Sequence, residues 1–338
     1  MNFLRKLLFP FAILYGFITS LRNYLFDKGI LKSYSFEIPV IAVGNLNVGG
    51  TGKTPQIEYL IRLLSPKYKV ATLSRGYKRK SADFVLADAD SNAEILGDEP
   101  FQYYKKFPNI QVAVDADRRN GIEQLLNQKE KPEVILLDDA FQHRKVKAGF
   151  YILLTAYNDL FCDDFILPTG NLRESRKGAK RADLIIVTKC PQTITEPEQE
   201  AISGKLRRFL LRRNDKVFFS SIDYDEKVYN DSESLSVTEI KSTPKILLAG
   251  IANPKPFFDF LQAKTDEIMT FADHHHFRES EIADIKNKAN DKIIITTEKD
   301  FVRLDAKILK RQLFYLPIKS KLVSNQEAFD QTILKKKK

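Results

Sequence analysis

From residue 38 onward, short β-branched apolar runs alternate with stretches in which apolar residues recur every three or four positions. The runs at 38–43, 70–73, 84–87, 112–114, 134–137, 151–154 and 184–187 read as buried strands. Runs this uniformly apolar fit strands covered on both faces, so the pattern predicts a largely parallel sheet sandwiched by helices. Residues 191–245 change character, with a charged helix at 198–213, a strand at 217–222 and a polar stretch at 223–243. A second α/β series follows at 246–249, 268–271, 293–297 and 313–316. The expected organisation is an N-terminal apolar segment at 1–30, a first α/β domain at 31–215, an inter-domain passage at 216–244 and a second, smaller α/β domain at 245–330.

The most hydrophobic stretch comes before all of this, at 7–21, flanked by Arg5, Lys6, Arg22, Lys28 and Lys32. It is shorter than the ~20 residues a spanning helix needs and contains Pro10 and Gly16. Around Ser20 there is no small-residue cleavage signal. The remaining functional reading is a helix lying in the membrane interface, with Phe11, Leu14, Tyr15, Ile18 and Leu25 toward lipid and the basic flanks at headgroups. The competing reading is a helix packed on the protein's own core.

The 338 residues are 43% hydrophobic and 29% charged, an ordinary globular composition that excludes disordered and fibrous classes. A formal charge of +10 calls for an anionic partner without choosing among nucleotide, nucleic acid and anionic lipid. Two cysteines, Cys162 and Cys190, lack metal or disulfide spacing and fit a reducing cytoplasm.

The choice among anions comes from 40–58. A buried strand runs into Gly44-Asn-Leu-Asn-Val-Gly-Gly-Thr-Gly-Lys-Thr54 and then a helix. In such a P-loop the backbone N–H groups curl around phosphate oxygens, Lys53 reaches the β and γ phosphates of ATP, and Thr54 holds Mg²⁺. Asn47 stands where the pattern G-x-x-x-x-G-K-[ST] has Gly, and Gly49-Gly50 supply flexibility instead. The nucleotide-binding set is Asn47, Val48, Gly49, Gly50, Thr51, Gly52, Lys53 and Thr54. The fold expected is therefore P-loop NTPase-like.

The run 134–137 ends in Asp138-Asp139, as when a parallel strand delivers acid to the Mg²⁺ region, and Gln142, His143 and Arg144 follow at the same edge. Arg75 and Tyr77, Asp98 and Glu99, and Arg118 and Arg119 end other strands or open loops. Each alone suits a turn or surface pair. Together at one sheet edge, the arginines can bind phosphate and Asp98 can take the proton of an attacking hydroxyl. Arg173-Glu174 follows another strand, with Glu174 able to complete Mg²⁺ coordination. Three consecutive histidines, His274 to His276, point in different directions, so an acid–base or orienting role suits them better than zinc.

Taken in order, these motifs, together with 167–174, Gly250-Ile-Ala-Asn-Pro254, Asp273-His274-His275 and Thr297-Glu298-Lys299-Asp300, resemble the tetraacyldisaccharide 4′-kinases of lipid A synthesis across residues 1–304. The resemblance implies transfer of the γ-phosphate of ATP to the 4′-hydroxyl of an acylated glucosamine disaccharide 1-phosphate, making lipid IVA. It implies a peripheral enzyme on the cytoplasmic side of the inner membrane, with no nucleic acid partner. By position it makes Asp98, His274, Lys53 and Asp139 catalytic, with Thr54, Asp138 and Glu174 on the metal. Arg75, Tyr77, Arg118, Arg119, Gln142, His143 and Arg173 form the substrate set. Ala140 and Ala252 stand where the family commonly has Gly. The alternatives are a P-loop NTPase switch, for which Thr188-Lys189-Cys190-Pro191 lacks the guanine-reading motif, and a nucleic-acid-associated ATPase, suggested only by charge.

Overall fold

The computed structural model describes residues 5, 7–77, 79–210, 216–273, 275–304, 308 and 311–335. Helix α1 (Phe9–Asp27) precedes β1 (Val40–Asn45), α2 (Lys53–Leu64), β2 (Val70–Ser74) and β3 (Val85–Leu86). Then come α3 (Ala93–Leu96), α4 (Asp98–Lys106), β4 (Gln111–Val114), α5 (Arg118–Leu126), β5 (Val134–Asp138) and β6 (Phe150–Ala156). A 3₁₀ segment (Arg176–Arg181) leads to β7 (Leu184–Thr188), α6 (Glu196–Arg207) and β8 (Lys216–Tyr224). The second series is β9 (Lys227–Tyr229), β10 (Ser234–Ser236), α7 (Val237–Ser242), β11 (Lys245–Ala249), α8 (Lys255–Leu261) and β12 (Glu267–Thr270). It continues with α9 (Glu279–Ala289), β13 (Ile293–Thr297), α10 (Glu298–Leu304) and β14 (Leu313–Leu316), before β15 (Ile318–Leu322) and α11 (Gln326–Lys335).

Among the described residues, nine strands form one sheet in the order β15-β8-β7-β6-β1-β5-β2-β4-β3, parallel except at its edge pairs β3–β4 and β15–β8. Strands β1, β2, β5 and β7 are buried along their whole length, as the uniform apolar runs predict. The register sets Val43 of β1 beside Asp138 of β5, so the phosphate loop and the acidic strand end leave the sheet together. The six strands β10-β9-β14-β13-β11-β12 make the second, smaller sheet, whose last four are parallel.

The expected passage at 216–244 is corrected by this topology. Strand β8 pairs with β7, and β15 returns from the second sheet to pair with β8. Helix α11 then seats Phe329 and Ile333 in the first core beside Phe218. The nine-stranded sheet and its core thus draw on two separated stretches of chain, and the six-stranded sheet lies within β9 to β14.

Helix α1 buries only Ala12 and Gly16. Leu7, Phe9, Phe11, Ile13, Leu14, Phe17 and Ile18 are all at least half exposed. No described helix is long and apolar enough to cross a membrane.

Candidate active site

Gly52 takes a left-handed φ of 78° just before α2, and Gly49 a φ of 109°, backbone shapes that favour glycine at the turns of the loop. Lys53 opens the helix with its ammonium 3.4 Å from Asn45 Oδ1 and 3.8 Å from Asp139 Oδ1. Asn47 is fully buried, and its amide donates to Asp164 Oδ2 at 3.1 Å. Its side chain therefore anchors the loop to the neighbouring 157–171 segment, which explains why glycine is not needed there. The Val48 N–H donates to Asn171 in the same segment.

Asp138 is buried at the end of β5, where its Oδ2 accepts from Ser74 Oγ (3.4 Å) and the Tyr103 hydroxyl (3.3 Å) while its Oδ1 has no protein partner. Burial pushes this carboxyl up to about 6, with Lys53 opposing and Asp139 and Glu99 adding to the rise. Thr54 lies within hydrogen-bonding reach of the Tyr103 hydroxyl. An orphaned buried carboxylate oxygen near the first hydroxyl of the loop helix is a donor set that fits Mg²⁺. Asp139, at a φ of 48°, is held by Arg173, whose Nη1 reaches both carboxylate oxygens at 3.0 Å.

Glu174 is placed differently from the expectation. It is buried, and its oxygens accept from Asn23 (2.6 Å), Arg181 (2.6 Å) and Gln142 (3.2 Å). A carboxylate so saturated ties α1 to the first domain and is not arranged as a metal ligand. Gln142 also donates to the Asn45 carbonyl at 2.8 Å.

Arg118 is buried and donates to the Asp138 and Asp115 carbonyls, burial lowering its pKa to about 10, which leaves it charged. Arg75 is exposed within electrostatic range of it. Burial, then Arg118, pulls His143 down to about 4, so the imidazole is neutral near pH 7. Arg119 points away, pairing with Glu123 and stacking over Tyr34 at 3.8 Å. Tyr77 is exposed. Asp98 opens α4 and pairs with Arg303 of α10. His274, expected beside Asp98, lies outside the described residues.

Three residues absent from the sequence expectations join the site. Tyr103, fully buried, connects α4 to Asp138. Lys189 follows β7 and donates to the loop carbonyl of Gly50 at 2.6 Å, while Thr188 donates to that of Thr51 at 2.7 Å. Desolvation, then repulsion from Lys299 and Lys53, lowers the Lys189 pKa. Arg303 is the third. The Lys after a strand-end Thr carries a detectable signal, but Tyr103 and Arg303 read in sequence only as helix residues.

A family described as tetraacyldisaccharide-1-P 4'-kinase matches residues 4–338. The chain is 68% identical over 337 residues to a Flavobacterium psychrophilum protein named tetraacyldisaccharide 4'-kinase, covering 99% of this chain and 97% of that one. It is 45% identical over 355 residues to a Bacteroides thetaiotaomicron protein of the same name, covering 98% and 93%. Among solved structures it is similar to an "apo" form of LpxK from Aquifex aeolicus in complex with ATP, at a TM-score of 0.79 and 33% identity, covering 99% of this chain and 100% of that one.

Proposed function

As the chain belongs to the tetraacyldisaccharide-1-P 4'-kinase family and is an ATP-dependent kinase of lipid A biosynthesis, we propose how its own residues perform the transfer. The acceptor is the 4′-hydroxyl of a tetraacylated disaccharide 1-phosphate, and the product is lipid IVA. Thr54 and Asp138 are proposed to hold Mg²⁺, which when bound would neutralise charge on the β and γ phosphates. The reading rests above all on Asp138, whose Oδ2 is engaged by two hydroxyls while its buried Oδ1 is unpartnered beside the phosphate loop.

Lys53 neutralises negative charge on the phosphates, and its contacts with Asn45 and Asp139 keep the ammonium near the loop. Lys189 adds positive charge from the β7 side. As the acceptor oxygen bonds to the γ-phosphorus, the bond from that phosphorus to the β–γ bridging oxygen breaks. ADP carries away that electron pair, and Asp98 takes the hydroxyl proton, assisted by His274. Arg75, Arg118 and His143 border the acceptor side, with Arg118 supplying buried positive charge and His143 a neutral imidazole. The enzyme works at the cytoplasmic face of the inner membrane, with the exposed apolar face of α1 in the bilayer interface.

The test is ATP consumption by the full chain in detergent, with and without the disaccharide 1-phosphate, across a Mg²⁺ titration. Acceptor-dependent turnover should be lost in Asp138→Asn and not restored by raising ATP. Turnover of Asp138→Asn at the parental rate and parental Mg²⁺ requirement would remove Asp138 from the metal site.

A further inference from the structure

Helix α10 of the second sheet lies against α4 of the first, and successive ion pairs join them. Lys299 reaches Glu99 at 2.9 Å. Four residues later on the same helical face, Arg303 meets Asp98, with Nε at 3.2 Å and Nη2 closer still. Both of these bonds fall on Oδ2 of Asp98. The two side chains are only 9% and 22% exposed, which takes the pair largely out of water.

Arg303 is aligned from behind. Its Nη1 lies 3.4 Å from Oδ1 of Asp300, a fully buried carboxylate. Asp300 Oδ2 in turn accepts from the Gly250 N–H at 2.8 Å and from Thr297 Oγ1 at 2.7 Å. A Cβ on Gly250 would stand 2.9 Å from Asp300 Oδ1, so the close approach requires glycine. The second-domain turns at 250 and 297–300 thus build one chain of contacts that ends on Asp98.

We infer that Arg303 is a positioning residue for the phosphoryl transfer, holding the Asp98 carboxylate charged and fixed so that it can receive the acceptor's proton. The inference rests on the reading of Asp98 as the base. A half-buried carboxylate needs a counter-charge to stay ionised, and a guanidinium held by a second carboxylate fixes direction as well as charge. The second domain then contributes to catalysis by orienting a carboxylate of the first.

The experiment compares the full chain with Arg303→Gln, Arg303→Lys, Asp98→Asn and the Arg303→Gln/Asp98→Asn double variant, each confirmed folded by its melting transition. The measurements are kcat and KM for ATP with tetraacyldisaccharide 1-phosphate in detergent. Arg303→Gln should lower kcat by about 10- to 100-fold with KM for ATP nearly unchanged, and Arg303→Lys should recover part of the loss. In the Asp98→Asn background, Arg303→Gln should cost less than about twofold more, since groups acting as a unit are not additive. Equal losses in both backgrounds would overturn the inference, making Arg303 a structural tie. A parental kcat in Arg303→Gln beside a slow Asp98→Asn overturns it while leaving the base reading standing. A parental kcat in Asp98→Asn overturns the base reading itself and the inference with it.

Discussion

Lys53 has oxygens of Asn45 and Asp139 near its ammonium but packs little of the core, so its removal separates chemistry from folding. Lys53→Ala should lower kcat by roughly a hundredfold or more while the melting temperature stays close to the parent's. A folded variant with near-parental turnover contradicts the assigned role. Tyr103 gives a finer test. Its hydroxyl shares Asp138 Oδ2 with Ser74, so Tyr103→Phe leaves the ring packed and loosens the carboxylate. The Mg²⁺ concentration for half-maximal rate should rise by about tenfold, as is usual when a partner behind a metal ligand is lost. No change in Mg²⁺ dependence would reduce Tyr103 to core packing. These two residues also mark what sequence could reveal. Lys53 and the Asp138-Asp139 pair are legible because strand, loop and helix follow one another along the chain. Tyr103 is not legible, because its partner lies 35 residues away and meets it only after β5 and α4 pack together.

At the scale of elements, Glu174 is expected at the metal and its neighbour Arg173 in the substrate set, and the structure turns the two side chains to different partners. Arg173 does reach Asp139, but Glu174 turns to Asn23 and Arg181 and clamps α1. Nothing in local sequence says which way adjacent side chains point when both neighbours are polar. Glu174→Gln should therefore raise KM for the lipid acceptor several-fold and leave the Mg²⁺ requirement alone; the reverse pattern would return Glu174 to the metal. The α10–α4 contact carries a pH prediction. Glu298 is buried beside Glu58, and burial first, then that carboxylate, push it up to about 7 despite Lys106. A carboxyl raised in the folded state adds stability that is complete below its ordinary 4.5 and is lost as pH rises through about 7. Glu298→Gln cannot ionise, so its melting temperature relative to the parent should climb between pH 5 and pH 8, by roughly a few degrees. A pH-independent difference would mean that Glu298 stays ionised throughout. The β8 and β15 strands belong to this scale too. β15 alternates exposed and buried positions as an antiparallel edge strand does, while β8 carries a continuous buried run, yet their pairing depends on a return of the chain from residue 316 that no local pattern encodes.

For the whole molecule, the proposed contact with a lipid surface turns on α1. One side of the helix is fastened to the edge that bears the site, through Tyr15 to the Arg173 carbonyl, Arg22 to the Gln142 carbonyl and Asn23 to Glu174. The other side leaves Phe11, Ile13, Leu14 and Phe17 about 60% exposed, a larger contiguous apolar surface than a water-facing helix ordinarily carries. The fastening and the apolar face together fix the site's height above any bilayer the helix enters, which a flexible anchor could not do. Burying such side chains in the interface is worth about 25 cal/mol per Å² of apolar surface, and the basic flanks add attraction to anionic headgroups. Phe11→Ser combined with Phe17→Ser leaves the docked side untouched, so the fold and the KM for ATP should match the parent. Sedimentation with vesicles of mixed neutral and anionic phospholipid should fall by about tenfold or more, and the KM for acceptor presented in those vesicles should rise with it. The parent's own binding should weaken only partly in high salt, because screening removes the headgroup attraction and not the apolar burial. If the double variant sediments as fully as the parent, or if salt alone abolishes parental binding, the apolar face is not what meets the lipid.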